Sequence, residues 1–343
     1  MRMDASRRHL LKLGLAAGAL SILPAGPRQH VRAQSTGLGS AIQAARDFER
    51  LHGLIVAQEG RPLVEQAFRG PALERTVNVK SVAKTVIAAL VGAAIQRGVL
   101  AGPEQSIVPL LGELVPDEAD PRLEQVTIGH LLSMRAGLQR TSGQHYGRWV
   151  TSPNWVRHAL TRPFEGEPGG EMRYSTGNSH LLSAILTRAS GRSTLELARS
   201  WLGQPLDIAI PAWQQDPQGI YFGGNNMALS PRAMLQLGEL YRLGGRLDGE
   251  RVFAESWVET SWQRRGRSRW TGDRYGYGWF IRPMQGREVY YAWGYGGQMI
   301  YVCPELALTV VITSDVTRVS GASGYVRQLH GLVEREFLPA LTS

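Results

Sequence analysis

Two lysines flank one serine in a chain that otherwise uses arginine for positive charge. Of the 38 basic residues among 343, only Lys12, Lys80 and Lys84 are lysines, and two of these stand within three positions of Ser81. Arginine cannot replace a lysine that must lose its proton, because guanidinium stays charged at any working pH. The pair therefore marks a candidate site for acid–base chemistry, against the alternative that two neighbouring lysines survived by chance.

Ser81 and Lys84 stand at the start of an apolar helix predicted over residues 82–95. A spacing of three puts both side chains on one helix face, and Lys84 is the only charged residue between Ser81 and Gln96. Burial should lower the lysine pKa, so that a neutral amine can take the serine proton, and a helix N-terminus favours an oxyanion nearby. The alternative is that Ser81 only caps the helix; the apolar setting favours a nucleophile.

Residues 78–84 (Asn-Val-Lys-Ser-Val-Ala-Lys) are followed by a second distinctive segment, 126–138 (Val-Thr-Ile-Gly-His-Leu-Leu-Ser-Met-Arg-Ala-Gly-Leu). Together they resemble the serine β-lactamase and penicillin-binding-protein-like hydrolases, specifically the class C-like branch. That branch also holds esterases, D-amino-acid amidases and aminohexanoate-dimer hydrolases. The resemblance implies an acyl-enzyme on Ser81, with Lys84 as general base and no cofactor.

A tyrosine supplies the second element of that family's site. Tyr174 takes its position, and a phenol beside a neutral lysine can pass the serine proton to the leaving group; the alternative is a packing role alone. In β-lactamases the residue two places later is an asparagine that holds the substrate amide, whereas this chain has Thr176 there and Asn178 two places further on. The resemblance therefore favours the esterase and aminohexanoate-hydrolase members over β-lactam recognition.

The third element lies on a predicted strand, where β-lactamases have Lys-Thr-Gly and this chain has Ala292-Trp293-Gly294. In the family the missing cation steadies the substrate carboxylate, so its loss favours neutral esters or amides. The glycine-rich backbone suits an oxyanion hole made by the N–H groups of Ser81 and Tyr295, with a β-bulge as the alternative. Candidate substrate-binding residues are Asn178, Trp293, Gly294 and, as an electrostatic helper, Lys80.

The elements that position these residues follow from hydrophobic periodicity. Alternation predicts two strands between residues 51 and 69 and four more at 275–283, 289–293, 299–303 and 306–314, before a helix ending about 337. Helical patterns lie between them at 154–160, from 179, at 193–202 and from 230. The prediction is an α+β fold of the β-lactamase/transpeptidase type. An antiparallel sheet with flanking helices is built from 34–75 and 245–343, and 76–244 forms a mainly helical insert.

The first 33 residues are predicted to be a twin-arginine export signal cleaved after Ala33. Arg7-Arg8 precedes an apolar run at 13–23, which covers roughly 16 Å as a helix and is too short to cross a bilayer. We therefore expect a bacterial periplasmic or secreted protein with no permanent membrane span. Cys303 is the only cysteine, so no internal disulfide can form.

Other chemistries find little support. The sequence has no Gly-x-Ser-x-Gly, no phosphate-binding glycine loop and no histidine or cysteine cluster, so neither a nucleotide nor a metal site is expected. Beyond residue 33 the chain carries 32 basic and 28 acidic residues, which argues against nucleic acid. The basic loop at 264–269 is interpreted as a solvated surface loop rather than an anion site.

The predicted function is therefore an exported serine hydrolase acting on an ester or amide bond of a small molecule. Two alternatives stay open: a β-lactamase or D,D-peptidase, and a non-catalytic periplasmic binding relative. The sequence leaves the acyl group, the leaving group and the oligomeric state open.

Overall fold

A large antiparallel sheet dominates the computed structural model, which describes residues 28–318 and 324–342, with side chains from residue 37 onward. In chain order the strands are β1 (Leu51–Gln58), β2 (Arg61–Ala67), β3 (Val77–Asn78), β4 (Ala228–Leu229), β5 (Arg246–Leu247), β6 (Glu250–Arg251), β7 (Gly266–Arg267), β8 (Arg274–Tyr275), β9 (Phe280–Met284), β10 (Arg287–Gly294), β11 (Gln298–Cys303) and β12 (Leu308–Ser314). Eight of them form the large sheet in the order β2-β1-β12-β11-β10-β9-β8-β7, and β3 with β4 and β5 with β6 form two small pairs. Both ends of the chain thus supply strands to one sheet.

Helices fill the middle of the chain and flank the sheet. They are α1 (Arg28–Arg46), α2 (Ala83–Gln96), α3 (Ile107–Leu111), α4 (Ile128–Leu132), α5 (Tyr146–Val150), α6 (Trp155–Leu160), α7 (Thr176–Ser190), α8 (Thr194–Ala198), α9 (Pro231–Arg242), α10 (Glu255–Trp262), α11 (Tyr325–Leu332) and α12 (Leu338–Thr342). Within the described part of the chain, no helix combines the length and apolar character needed to cross a membrane.

The strands β11 and β12 are buried along their whole length because helices cover both faces of the sheet. Successive side chains of a strand point to opposite faces. Ile300 and Val302 accordingly join the core that contains α2 and α9, while Met299 and Tyr301 join a second core with α11. This two-sided burial explains why the hydrophobic runs of these strands are nearly continuous, and it confirms the predicted α+β fold.

Several predicted boundaries move in the structure. The strand expected at 275–283 is split into β8 and β9 by a turn in which Gly278 has φ +78°. The helix expected from 179 begins at Thr176, and the final helical segment continues through a π-helical turn at Val333–Phe337 to Thr342. The residues in the turns set these strand and helix boundaries, and hydrophobic periodicity does not report on turn residues.

The helix α9 packs on β11 and β12, although the predicted insert extends to residue 244. The domain boundaries stay a prediction. The twin-arginine pair and the apolar run of the predicted signal lie outside the described residues, and Ala33 falls within the backbone of α1.

Candidate active site

Ser81 lies in a short 3₁₀ turn, Lys80–Val82, directly before α2. The N-cap of α2 is Val82, and no side chain caps the helix, so the interpretation of Ser81 as a cap is wrong. The turn starts from a left-handed Lys80 (φ +51°), whose backbone N–H donates to Asn78 Oδ1 at 3.0 Å. This geometry directs the Ser81 hydroxyl away from capping and toward the lysine that follows.

Lys84 is buried beside the serine, with only 3% of its surface exposed. Its Nζ lies 3.0 Å from Ser81 Oγ and 2.6 Å from the Gly224 carbonyl oxygen, and 5.0 Å from the centre of the Tyr174 ring. Loss of solvation on burial lowers the pKa of Lys84 to about 7. A neutral amine that donates one N–H to Gly224 keeps its lone pair for the proton of Ser81.

Tyr174 completes a three-residue cluster with this pair. Burial raises the pKa of its phenol to about 12, and the hydrogen bond with Ser81 acts in the opposite direction. The phenol therefore keeps its proton at neutral pH and can donate it, while Lys84 is the group able to accept one. The ring is held among aromatic neighbours, with centroid distances of 6.2 Å to Phe280 and 6.3 Å to Tyr275.

Two hydroxyl side chains hold the start of α7 next to Tyr174. The Ser142 hydroxyl accepts from the Thr176 backbone N–H at 2.8 Å and bonds the Thr176 hydroxyl at 2.9 Å, and Thr141 Oγ1 accepts from the Gly177 N–H at 2.8 Å. The Thr176 side chain is thus engaged within the protein. Asn178 is buried in the first turn of α7 and does not line the cleft, so the structure does not support the predicted contact between Asn178 and substrate.

A buried histidine–aspartate pair supports the carbonyl that accepts from Lys84. His180 Nε2 lies 2.9 Å from Asp216 Oδ2, with both side chains fully buried, and the Gly223 N–H donates to His180 Nδ1 at 3.4 Å. Accepting at Nδ1 leaves the proton on Nε2, facing the carboxylate. Sequence reasoning missed this pair; the turn signal Asp216-Pro217-Gln218-Gly219 before Gly223-Gly224 is the feature that could have indicated it.

The third element approaches the nucleophile turn along β10. A Cβ placed on Gly294 would lie 2.2 Å from the Val79 carbonyl oxygen, so only glycine permits this contact. Trp293 precedes it on the strand, and Tyr295 begins the turn that follows, 43% exposed. Ser81 and Tyr295 line the same cleft, which is compatible with the expected oxyanion hole.

The cleft in front of Ser81 has a volume of about 810 Å³. Five tyrosine, tryptophan and phenylalanine side chains line it, and so do three arginines that sequence reasoning did not select. Among the lining residues are Ser81, Tyr174, Trp270, Phe280, Trp293, Tyr295, Arg140, Arg282, Arg327 and His330. Lys80 and Gly294 do not line it, and Lys80 Nζ instead points to Asn226 Oδ1 at 3.5 Å.

The arginines of the basic loop at 264–269 are largely engaged within the protein. Arg264 pairs with Glu288, Arg269 pairs with Glu171, and Arg265 lies over the Tyr277 ring. Over residues 28–318 and 324–342, no group of three His, Cys, Asp or Glu side chains is placed to hold a metal ion.

Comparisons with known proteins agree with this geometry. The sequence model of the Beta-lactamase family matches residues 41–330. Over 198 residues the chain is 26% identical to the 6-aminohexanoate-dimer hydrolase of Paenarthrobacter ureafaciens. The aligned region covers 52% of this chain and 49% of that protein, so the chain spans about half the length of this curated relative.

Solved structures share the fold. EstCE1, a hydrolase with promiscuous acyltransferase activity, superposes with a TM-score of 0.70 at 20% identity, over 88% of this chain and 99% of that one. The octameric penicillin-binding protein homologue from Pyrococcus abyssi superposes with a TM-score of 0.64 at 17% identity, over 89% of this chain and 79% of that one. With the family match extending over most of its length, the chain belongs to the Beta-lactamase family of hydrolases.

Proposed function

We propose that this protein is an exported serine hydrolase that cleaves an ester or amide bond of a small substrate through an acyl-enzyme on Ser81. The observation that carries the proposal is the buried Lys84 amine, 3.0 Å from Ser81 Oγ, with a pKa lowered to about 7. A base with a pKa near the working pH is the most effective proton acceptor. The names of the relatives, an amide hydrolase and a hydrolase with acyltransferase activity, agree with this reaction class.

In the acylation step Ser81 Oγ attacks the substrate carbonyl carbon while its proton passes to Lys84 Nζ. The backbone N–H groups of Ser81 and Tyr295 stabilise the negative oxygen of the tetrahedral intermediate. Tyr174, whose pKa is raised to about 12, donates its proton to the leaving alkoxide or amine as the bond to the carbonyl breaks, and Lys84 restores the proton of Tyr174. Water then attacks the acyl-enzyme with Lys84 as base, the bond between the acyl carbon and Ser81 Oγ breaks to release the acid, and Lys84 returns the proton to Ser81 Oγ.

The test is intact-mass analysis after treatment with a fluorophosphonate probe, with Ser81→Ala as control. One adduct on the wild type and none on the variant is the expected result. An unmodified, folded wild type would contradict the proposal and favour a non-catalytic binding protein. A chromogenic cephalosporin in parallel tests the β-lactamase alternative, which the engaged Thr176 hydroxyl and Ala292 both disfavour.

Export is part of the proposal and rests on the N-terminal sequence, with Arg7-Arg8 before the apolar run. In a bacterial host with a twin-arginine pathway, we expect the periplasmic fraction to contain a protein whose intact mass corresponds to a chain that starts at residue 34, directly after Ala33. An Arg7→Lys/Arg8→Lys double variant should stay in the cytoplasm uncleaved. Equal processing of both forms would refute this route.

A further inference from the structure

The cleft in front of Ser81 contains positive charge that comes from outside the three sequence elements of the site. Arg140 lies between α4 and α5, Arg282 lies on β9 and Arg327 lies on α11, and all three line the cleft. At the third element, where the resemblance to β-lactamases predicts a lysine, this chain has Ala292. Tertiary folding thus supplies the cleft with charge that the third element lacks.

Two of these arginines have no acidic partner within the described residues. Arg282 is satisfied internally, because its Nη1 lies 3.1 Å from Asp273 Oδ1. The Arg140 guanidinium instead lies 5.2 Å from the centre of the exposed Trp270 ring, and Arg327 is exposed on the surface of α11. By contrast, Arg264 and Arg269 of the nearby basic loop are both paired with glutamates. Unpaired guanidinium groups in a cleft are well suited to bind a carboxylate.

His330 is a second, independent sign of a polar ligand. This residue lines the cleft although it is only 2% exposed, and its Nδ1 is 3.1 Å from the Tyr301 hydroxyl oxygen. Its Nε2 is buried and has no hydrogen-bond partner among the residues the structure describes. A buried polar atom without a partner is costly unless water or a ligand meets it. When the Tyr301 hydroxyl donates to Nδ1, Nε2 carries a proton for which the described residues supply no acceptor.

We infer that this hydrolase selects ester or amide substrates that carry a free carboxylate, and that Arg140 and Arg327 are the residues that determine this preference. The aromatic walls formed by Trp270, Phe280 and Trp293 hold the hydrocarbon part of such a substrate. The inference rests on the proposed function and replaces the expectation of a neutral substrate drawn from Ala292.

The test compares kcat/KM for two matched pairs of esters. The first pair is p-nitrophenyl hydrogen adipate and p-nitrophenyl hexanoate, which share their chain length and leaving group. The second pair, 3-acetoxybenzoate and 3-acetoxybenzamide, places the carboxylate on the leaving group instead. In at least one pair we expect the anionic ester to be preferred about tenfold or more, the effect of a hydrogen bond to a charged group. Added salt should reduce this preference.

Arg140→Gln and Arg327→Gln are each expected to remove most of the preference, by lowering kcat/KM for the anionic ester more than for the neutral ester, because they take away a charged hydrogen-bond donor. Arg61→Gln, which removes one charge from an exposed position on β2 outside the cleft, is the matched control. Equal turnover of the anionic and neutral esters in both pairs, or a preference that survives both cleft variants, would overturn the inference alone. No turnover of any ester and no probe adduct would overturn the proposed function as well.

Discussion

Ser81 and Lys84 belong to two different helical turns, yet Lys84 Nζ lies 3.0 Å from Ser81 Oγ. The 3₁₀ turn carries the serine and the first turn of α2 carries the lysine, so the pair is set by a junction in the backbone. The Gly224 carbonyl oxygen, 2.6 Å from Lys84 Nζ, accepts a hydrogen bond from the amine and so fixes its orientation. Burial of the amine follows from the apolar surface of α2 on every side.

The two lysines that flank Ser81 should differ sharply in their effect on turnover. Lys84→Met keeps the length of the side chain but removes the base, and we expect kcat for a p-nitrophenyl ester to fall by about 10³-fold or more. Lys80→Met is the matched variant. Because Lys80 does not line the cleft, kcat should fall much less in this variant. Similar losses in both, with unchanged circular dichroism, would contradict Lys84 as the base.

The pH dependence of kcat/KM should follow the lysine. Burial lowers the pKa of Lys84 to about 7, and the neutral amine is the reactive form. With a neutral ester, kcat/KM should therefore rise through about pH 7 and stay level to pH 9, because the Tyr174 phenol, with its pKa near 12, remains protonated. A stopped assay with a non-ionising substrate measures this, and a flat profile from pH 5 to 9 would refute the assignment.

The same lysine should reduce the stability of the fold at low pH. Its pKa is lowered in the folded protein from 10.5 to about 7, so between these values the unfolded chain binds the extra proton and the free energy of unfolding rises with pH. Lys84→Met removes this term. The free energy of unfolding of Lys84→Met minus that of the wild type should therefore be larger at pH 6 than at pH 9, by about 3 kcal/mol. Denaturant melts at both pH values measure the difference; an equal difference at the two would contradict a neutralised amine.

The pair His180 and Asp216 should matter although neither residue lines the cleft. Asp216→Asn offers an N–H to His180 Nε2 and forces the ring proton onto Nδ1, which then faces the donating Gly223 N–H. We expect the loop before Gly224 to shift and to displace the carbonyl that accepts from Lys84. As a result kcat should fall about tenfold, and the midpoint of the pH profile of kcat/KM should shift because the pKa of Lys84 changes. The control is Asp248→Asn in an exposed turn; a change in stability alone, with kcat and the profile unchanged, would show a merely structural role.

Gly294 should be intolerant of even one methyl group. Gly294→Ala places a Cβ 2.2 Å from the Val79 carbonyl oxygen and pushes β10 away from the turn that carries Ser81. We expect a cost of about 1–3 kcal/mol in the free energy of unfolding and at least a tenfold loss of kcat/KM. Gly147→Ala, where an added Cβ meets nothing within 4 Å, is the matched control. Full activity in Gly294→Ala would show that this close approach does not matter.

The sequence predicted the parts of the site that are encoded locally. The spacing of Ser81 and Lys84, the apolar run of α2 and the alternation of the long strands each report a local periodicity, and the structure has these elements. Contacts set by tertiary folding were missed: the Gly224 carbonyl is a backbone group, and the cleft receives Arg140 from one segment and Arg327 and His330 from another, α11. Asn178 was misjudged because α7 begins at Thr176 and turns its side chain into the core.

The pairing of the first strand with the last governs when the protein can become active during synthesis. The chain segment that brings Trp293 and Gly294 to Ser81 is β10, which is held by β11, which in turn is held by β12 against β1. Strand pairs so distant in sequence form slowly, because the intervening chain must first be ordered. The ribosome therefore releases Ser81 and Lys84 long before the sheet that completes their site exists, and a nascent chain arrested before β12 is expected to show no reactive serine.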